Sequence, residues 1–103
     1  MGRYLVCLED RYFEYSTIVD APVTAPMTKD ELFEYVRREK GESGLWQLPE
    51  RLRRVEERGH SASAPYANAS VCCVLAGNRA GPNYSSWSLE QFKAWCRGET
   101  VDV

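Results

Sequence analysis

Residues 4–19, YLVCLEDRYFEYSTIV, decide the fold that the sequence predicts. Residues 4–8 are rich in strand-forming side chains, residues 9–11 interrupt them, and residues 12–19 resume with β-branched and aromatic side chains. Two short strand patterns joined by a polar interruption are typical of an antiparallel β-hairpin. We therefore expect such a hairpin at the start of the fold.

The stretch that follows the hairpin contains Pro22 and Pro26. Proline has no backbone N–H to donate to a β-ladder, so it interrupts the pairing of an interior strand. We expect residues 20–27 to cross the surface without regular pairing.

Helix signals occupy much of the remaining chain. Thr28 and Glu31 form a capping box, in which each side chain can bond to the backbone N–H of the other residue, and Ser88 and Gln91 repeat the pattern. Pro49 suits the first turn of a further helix. These signals predict three capped helices, over residues 28–40, 49–58 and 88–97.

Residues 71–76, VCCVLA, form an apolar run too short for its periodicity to separate a strand from a helix. Ser70 can cap a helix there and Gly77 can end one, which favours a helix and leaves a strand open. This run is therefore a candidate for a fourth short helix.

The composition describes one domain. The chain has 103 residues, 44% of them hydrophobic, which suffices for a single core. The sequence therefore predicts a single small α+β domain, residues 1–103, in which an N-terminal antiparallel β-hairpin packs against three or four short helices.

The charge balance narrows the functional class. Thirteen Lys and Arg residues against fifteen Asp and Glu residues give a net charge of −2. A nucleic-acid-binding domain usually has an excess of basic residues, so we do not expect nucleic acid as a partner. The sequence has no apolar run approaching the roughly 18 residues of a membrane span, and acidic residues 9 and 10 interrupt the first apolar stretch. We expect a cytoplasmic protein with no membrane partner.

The cysteine pattern predicts neither a metal site nor a cofactor. The four cysteines have no C-x-x-C spacing, and the chain has a single histidine. We expect all four thiols to be reduced, and Cys7, Cys72 and Cys73 to be buried because each lies in an apolar run.

A basic cluster lies within residues 51–58. It consists of Arg51, Arg53, Arg54 and Arg58. The glutamates interspersed among these arginines favour a solvated helix face, and phosphate binding is the alternative.

Residues 77–83, GNRAGPN, are the first candidate for a binding site. Glycine and asparagine tolerate positive φ, so this backbone can turn sharply and direct consecutive N–H groups at an anion. Arg79 adds a planar guanidinium, which binds carboxylate or phosphate through two parallel hydrogen bonds. Asn78, Arg79 and Gly81 are the ligand-binding candidates, and the alternative is a purely structural turn.

Residues 59–63, GHSAS, are the second candidate. His60 and Ser61 offer an imidazole and a hydroxyl among small residues, and both are ligand-binding candidates. A solvent-facing loop histidine is one alternative. A small hydrolase using His60 is another, but no nucleophile-elbow sequence accompanies it, so no catalytic residue is assigned.

Three parts of the chain carry a resemblance: residues 17–24 with 27–28, residues 59–61, and residues 78–82. Together they resemble small proteins of unassigned function that bacteriophages and prophages encode. The resemblance implies a role inside an infected bacterial host cell, where phage proteins of this size often bind and neutralise a host defence component.

Two non-enzymatic functions are consistent with these observations. In the first, the 59–63 and 77–83 loops form a pocket that sequesters an anionic nucleotide-type signal. In the second, the aromatic hairpin and the acidic residues near it form a face that inhibits a host defence complex, as anti-CRISPR proteins do. The expected partner is an anionic small molecule or a host defence protein, and self-association into a homo-oligomer is left open.

Overall fold

The computed structural model describes residues 3–62, 69–81, 83, 85–99 and 101. Its elements, in chain order, are β1 (Arg3–Leu8), β2 (Arg11–Ser16), β3 (Ala21–Pro22), α1 (Lys29–Arg58), α2 (Val71–Val74) and α3 (Leu89–Cys96). The three strands form one antiparallel sheet in the order β1-β2-β3. The α+β class expected from the sequence is confirmed.

β1 and β2 form the predicted hairpin. Their pairing leaves Glu9 and Asp10 alone for the turn. Both residues have positive φ, 52° and 59°, as a two-residue type I′ hairpin turn requires. β2 ends earlier than expected, at Ser16, because residues 17–20 turn toward the third strand.

The expectation of an unpaired segment over residues 20–27 is wrong. Ala21–Pro22 pairs with the end of β2 as β3, and Met27 exchanges two backbone hydrogen bonds of 2.8 Å with Tyr12. Pro22 is tolerated because β3 lies at the edge of the sheet, where a missing N–H need not remove a ladder hydrogen bond.

α1 replaces two of the predicted helices. The helices expected over residues 28–40 and 49–58 are joined in one element with a kink at Gly41, whose φ of 64° and ψ of −152° are not helical. The helix resumes after the kink because Leu48 and Leu52 are buried in the same apolar cluster as the first half of α1. The helical conformation therefore breaks at Gly41, and the second helical segment begins earlier than the expected residue 49.

Both predicted capping boxes are present, at Thr28 with Glu31 and at Ser88 with Gln91. Residues 71–74 form the single helical turn α2, so the helical interpretation of this run holds there. Among the described residues the fold has two helices of at least two turns, α1 and α3. The expectation of three or four short helices is wrong in number, because two of the expected helices are joined at Gly41 in the single kinked element α1.

The sheet separates two apolar clusters. Leu5 belongs to the cluster beneath α1, whereas Val6 and Leu8 belong to the cluster beneath α3, because successive side chains of a strand point to opposite faces. The α1 cluster contains Leu5, Met27, Leu32, Val36, Leu48, Leu52 and Val55. The α3 cluster contains Val6, Leu8, Phe13, Tyr15, Leu75, Phe92 and Cys96.

The segment that follows α1 covers the outer edge of β1. Gly59 accepts a hydrogen bond from the backbone N–H of Cys7 at 2.9 Å, and the N–H of Ser61 donates to the Leu5 carbonyl at 2.9 Å. The Ser61 hydroxyl also accepts the Leu5 N–H at 2.8 Å. These bonds fix the position of Ser61 beside the sheet.

Cys7, Cys73 and Cys96 are free thiols. Cys96 is buried and Cys7 is half-buried, but Cys73 is exposed, so the expectation of a buried Cys73 is wrong. The helical turn of α2 directs Val74 to the core and leaves Cys73 at the surface. The Cys72 side chain lies outside the described part of the structure.

Candidate anion-binding site

A cavity of about 600 Å³ lies between β1, α1 and the segment that follows α1. Its lining residues are Arg3, Tyr4, Lys40, Gln47, Glu50, Arg51, Arg54, Ser61 and Ala62. Four of these side chains are cations and one is a carboxylate, in a chain whose net charge is −2. This basic cavity is therefore a local excess of positive charge, which attracts anions.

α1 supplies three of the four cations. Gln47, Arg51 and Arg54 are spaced by four and three residues, so they share one face of the helix. Lys40 precedes the kink at Gly41, whereas the two arginines follow it. Both halves of the kinked helix thus contribute to one cavity.

Arg51 is held in place by a buried carboxylate. Its Nη2 donates to Oε1 of Glu14 at 2.6 Å, and the Glu14 side chain is fully buried on β2. The second oxygen of Glu14, Oε2, has no hydrogen-bond partner among the described residues. Glu14 therefore orients Arg51 and offsets its charge, and loss of either partner would leave the other charge without its counterion.

Arg54 is only weakly neutralised. Its Nη1 lies 3.5 Å from Oε1 of Glu50. Glu50 bonds more closely to Arg53 on the exposed side of α1, at 2.6 and 3.0 Å, and these hydrogen bonds hold the pKa of Glu50 below its ordinary value. The Nε of Arg54 is buried and has no hydrogen-bond partner in the described part of the chain. The Arg54 guanidinium is therefore only partly bonded within the described part of the protein.

Arg3 and Lys40 are cations that have no counterion in the part of the chain that the structure describes. Within the described residues, neither side chain has a carboxylate oxygen within 4 Å. Ser61, whose oxygen accepts the Leu5 N–H, adds a hydroxyl to the same lining. The basic cavity thus presents two unpaired charges, one from β1 and one from α1.

His60 does not line the basic cavity. It is fully buried, its Nδ1 accepts the N–H of Ala62 at 3.1 Å, and its Nε2 lies 2.7 Å from the carbonyl oxygen of Ala69. The interpretation of a solvent-facing loop histidine is wrong, because the segment containing His60 pairs with β1 and turns the imidazole inward. The imidazole ties residues 60–62 to Ala69.

Asn78 is also buried, and its side-chain amide forms hydrogen bonds with backbone groups of the protein. Nδ2 donates to the carbonyls of Leu75 and Trp87, both at 2.9 Å, and Oδ1 accepts the N–H of Trp87 at 2.8 Å. Gly81 donates its N–H to Ser85 at 2.8 Å, and a Cβ at this position would lie 2.5 Å from the Ser85 hydroxyl oxygen. These contacts are those of a structural turn that connects α2 to α3.

The five candidate residues do not meet in one pocket. Ser61 lines the basic cavity, Asn78 lines a separate cavity of about 220 Å³ near the start of α3, and the two cavities share no lining residue. The exposed Arg79 lines neither of them, and its backbone N–H donates to the Asp20 carbonyl at 2.6 Å. Residues 63 and 82 of the two loops lie outside the described residues.

Sequence reasoning missed Arg3 and Lys40 as site residues. It noticed the arginines of residues 51–58 but favoured a solvated face for them. The spacing of Gln47, Arg51 and Arg54 was a usable signal, since these residues share a helix face that carries one acidic side chain, Glu50, at the cavity. The contribution of Arg3 has no local signal, because it depends on how β1 packs beside α1.

Comparisons with protein-family models, with curated proteins and with solved structures gave no match. Over the described residues, no helix is long and apolar enough to cross a membrane. The same residues contain no group of three or more His, Cys, Asp or Glu side chains placed to hold a metal ion. The functional inference therefore depends on the basic cavity itself.

Proposed function

We propose that this protein binds an anionic small molecule of nucleotide type in the basic cavity and sequesters it without chemical conversion. The observation that carries the proposal is the pair of unpaired cations, Arg3 and Lys40, lining the same cavity as the incompletely bonded Arg54. Arginine and lysine are the side chains that bind phosphate oxygens most often in this way.

The size and lining of the cavity favour a nucleotide over a simple anion. A volume of about 600 Å³ falls within the range of small-molecule sites and exceeds the needs of a single phosphate group. Tyr4 and Ala62 add apolar surface beside the cations. A ligand with a phosphate and a less polar body matches both parts of this lining.

The lining residues of the basic cavity favour binding over turnover. Among the lining residues there is one carboxylate, Glu50, and there is neither a histidine nor a cysteine. Together with the resemblance to phage proteins, this lining supports our proposal of a phage-type accessory protein that withdraws a nucleotide signal from a defence response in the bacterial cytoplasm. The basic cavity is not the pocket between the 59–63 and 77–83 loops that the sequence predicted. Of the predicted ligand-binding residues, it contains Ser61.

Isothermal titration calorimetry with adenosine monophosphate tests the proposal. We expect measurable binding to the wild-type protein and about 10-fold weaker binding for each of Arg3→Gln and Lys40→Gln, since each removes one phosphate contact worth about 1.4 kcal/mol. Arg38→Gln is the matched control, because Arg38 lies on the same helix as Lys40 and does not line the cavity. Equal weakening by all three variants would show only a general charge effect.

A second measurement separates a binding protein from a hydrolase. After incubation with adenosine monophosphate, the protein is denatured and the released ligand is analysed by mass spectrometry. Sequestration requires that the ligand is recovered unchanged. Recovery of adenosine and phosphate would overturn the non-enzymatic part of the proposal while leaving the cavity as the binding site.

A further inference from the structure

Among the described residues, the two most exposed large hydrophobic side chains lie on different parts of the fold. Ile18, in the turn between β2 and β3, is 81% exposed, and Trp46, on α1, is 85% exposed. Side chains of this size at such exposure are costly to hydrate, and tryptophan is enriched among residues that dominate protein interfaces. Each is a candidate contact for another protein surface.

The turn that carries Ile18 is held by specific hydrogen bonds. The Ser16 hydroxyl accepts the N–H of Ile18 at 3.1 Å, and the Asp20 carbonyl accepts the N–H of Arg79 at 2.6 Å. Val19, between them, is 54% exposed. A surface already ordered before contact loses less conformational entropy on binding.

Ile18, Val19 and Arg79 together form what we call the tip. The backbone hydrogen bond from the N–H of Arg79 to the Asp20 carbonyl places the exposed residue 79 next to the turn that carries the two apolar side chains. No carboxylate of the described residues forms an ion pair with Arg79. The tip therefore combines apolar surface with one cation that lacks a counterion.

A shallow groove on α1 has the complementary composition. It is lined by Glu42, Leu45, Trp46 and Pro49, and its volume is about 600 Å³. Glu42 is exposed and, within the described part of the chain, has no basic side chain within 4 Å. The groove therefore combines apolar surface with one anion that lacks a counterion.

We propose that the tip of one copy of this chain docks into the groove of a second copy, with Ile18 and Val19 against Trp46 and with Arg79 beside Glu42. The complementary charges and the complementary apolar surfaces argue for this occupant, because one sequence carries both halves of the contact. Because Ile18, Val19 and Trp46 are all exposed in a single chain, the tip does not cover the groove of its own chain. The proposed contact is therefore one between two copies. Two such contacts can close a two-fold dimer, whereas single contacts extend a series of copies.

Sedimentation velocity over a concentration series tests this contact. We expect the wild-type protein to exceed the monomer mass as its concentration rises. Ile18→Asp, which disables the tip, and Trp46→Ala, which disables the groove, should each remain monomeric. An equimolar mixture of the two variants should form dimers, because the mixture still contains one intact tip and one intact groove.

Charge reversal tests the polar part of the contact. Arg79→Glu should weaken association by about 10-fold, and mixing it with Glu42→Arg should restore association through the reversed pair. Arg38→Glu, with the same charge change on another part of the surface, should leave association unchanged. A wild-type protein that stays monomeric at every concentration, or a variant mixture that does not associate, would overturn the proposal.

In these variants, folding and nucleotide binding are measured separately from self-association. Ile18 and Trp46 are exposed, so their substitution should leave the far-ultraviolet circular dichroism spectrum and the affinity for adenosine monophosphate unchanged. Failure of self-association with intact nucleotide binding would reject the tip and groove contact alone. Failure of nucleotide binding with intact association would reject only the function of the basic cavity.

Discussion

His60 has a partner at each nitrogen of its buried ring. Because Nδ1 accepts a backbone N–H, the proton is on Nε2 and is donated to the Ala69 carbonyl. We expect His60→Ala to lower the free energy of unfolding by about 2–3 kcal/mol, since it opens a void and leaves two backbone groups without partners. Urea denaturation measures this change.

The same variant distinguishes a structural histidine from a ligand residue. With Arg3 and Lys40 unchanged, folded His60→Ala should retain its affinity for adenosine monophosphate. A variant as stable as the wild-type protein that no longer binds the nucleotide would contradict the structural role of His60.

Individual residues show why the candidate site was only partly predictable. Ser61 was predicted and lines the basic cavity, but Arg3 and Lys40 meet there through the packing of β1 against a kinked helix, which no local pattern encodes. Asn78 shows the converse. Its residue type suits a ligand contact, yet the fold supplies backbone partners that occupy its amide group.

At the level of elements, the start of α1 provides a pH-dependent prediction. The Thr28 N–H donates to Oε1 of Glu31 at 2.8 Å, and this bond lowers the pKa of the Glu31 carboxyl below its ordinary value. A lowered pKa in the folded state means that the carboxylate stabilises the fold above its unfolded pKa. That contribution is lost as the pH falls through the lowered value.

Urea denaturation of the wild-type protein and Glu31→Gln, from pH 7 to pH 3, measures this effect. We expect the wild-type protein to be more stable near neutrality, because the carboxylate also favours the positive end of the helix dipole. The difference should vanish at low pH, where a protonated Glu31 resembles glutamine. Glu39→Gln, on an exposed part of the same helix, is the control and should show a smaller difference at neutrality. A difference that grows toward acid would contradict the prediction.

Elements defined by local signals were predictable from sequence. The hairpin and both capping boxes follow from residues within a few positions of each other. β3 was not predictable, because Pro22 is compatible with pairing only at the edge of a sheet whose order the local sequence does not specify. The early start of the second segment of α1, directly after the break at Gly41, was missed for a related reason, since it depends on the burial of Leu48 in the α1 cluster.

At the scale of the whole molecule, the fold shields Cys7, Cys73 and Cys96 from solvent to different degrees. Burial raises the pKa of Cys96 to about 12 and also raises the pKa of Cys7, so both carry little thiolate at neutral pH and are poorly accessible. In a Cys72→Ser background, we expect a maleimide to label Cys73 rapidly and the other two thiols only as the protein opens. Mass spectrometry of timed samples measures the order, and rapid labelling of all three would contradict it.

The closure of the outer edge of β1 by the segment after α1 has a consequence for chain synthesis. β1 and β2 can pair as soon as both have left the ribosome, but Leu5 and Ser61 are 56 residues apart. Closing so long a loop costs entropy and delays this contact during folding. Until α1 is complete, the nascent chain presents the open edge of its first strand, which is a template for aggregation. Rapid docking of the segment that follows α1 therefore also protects the newly made protein from misassembly.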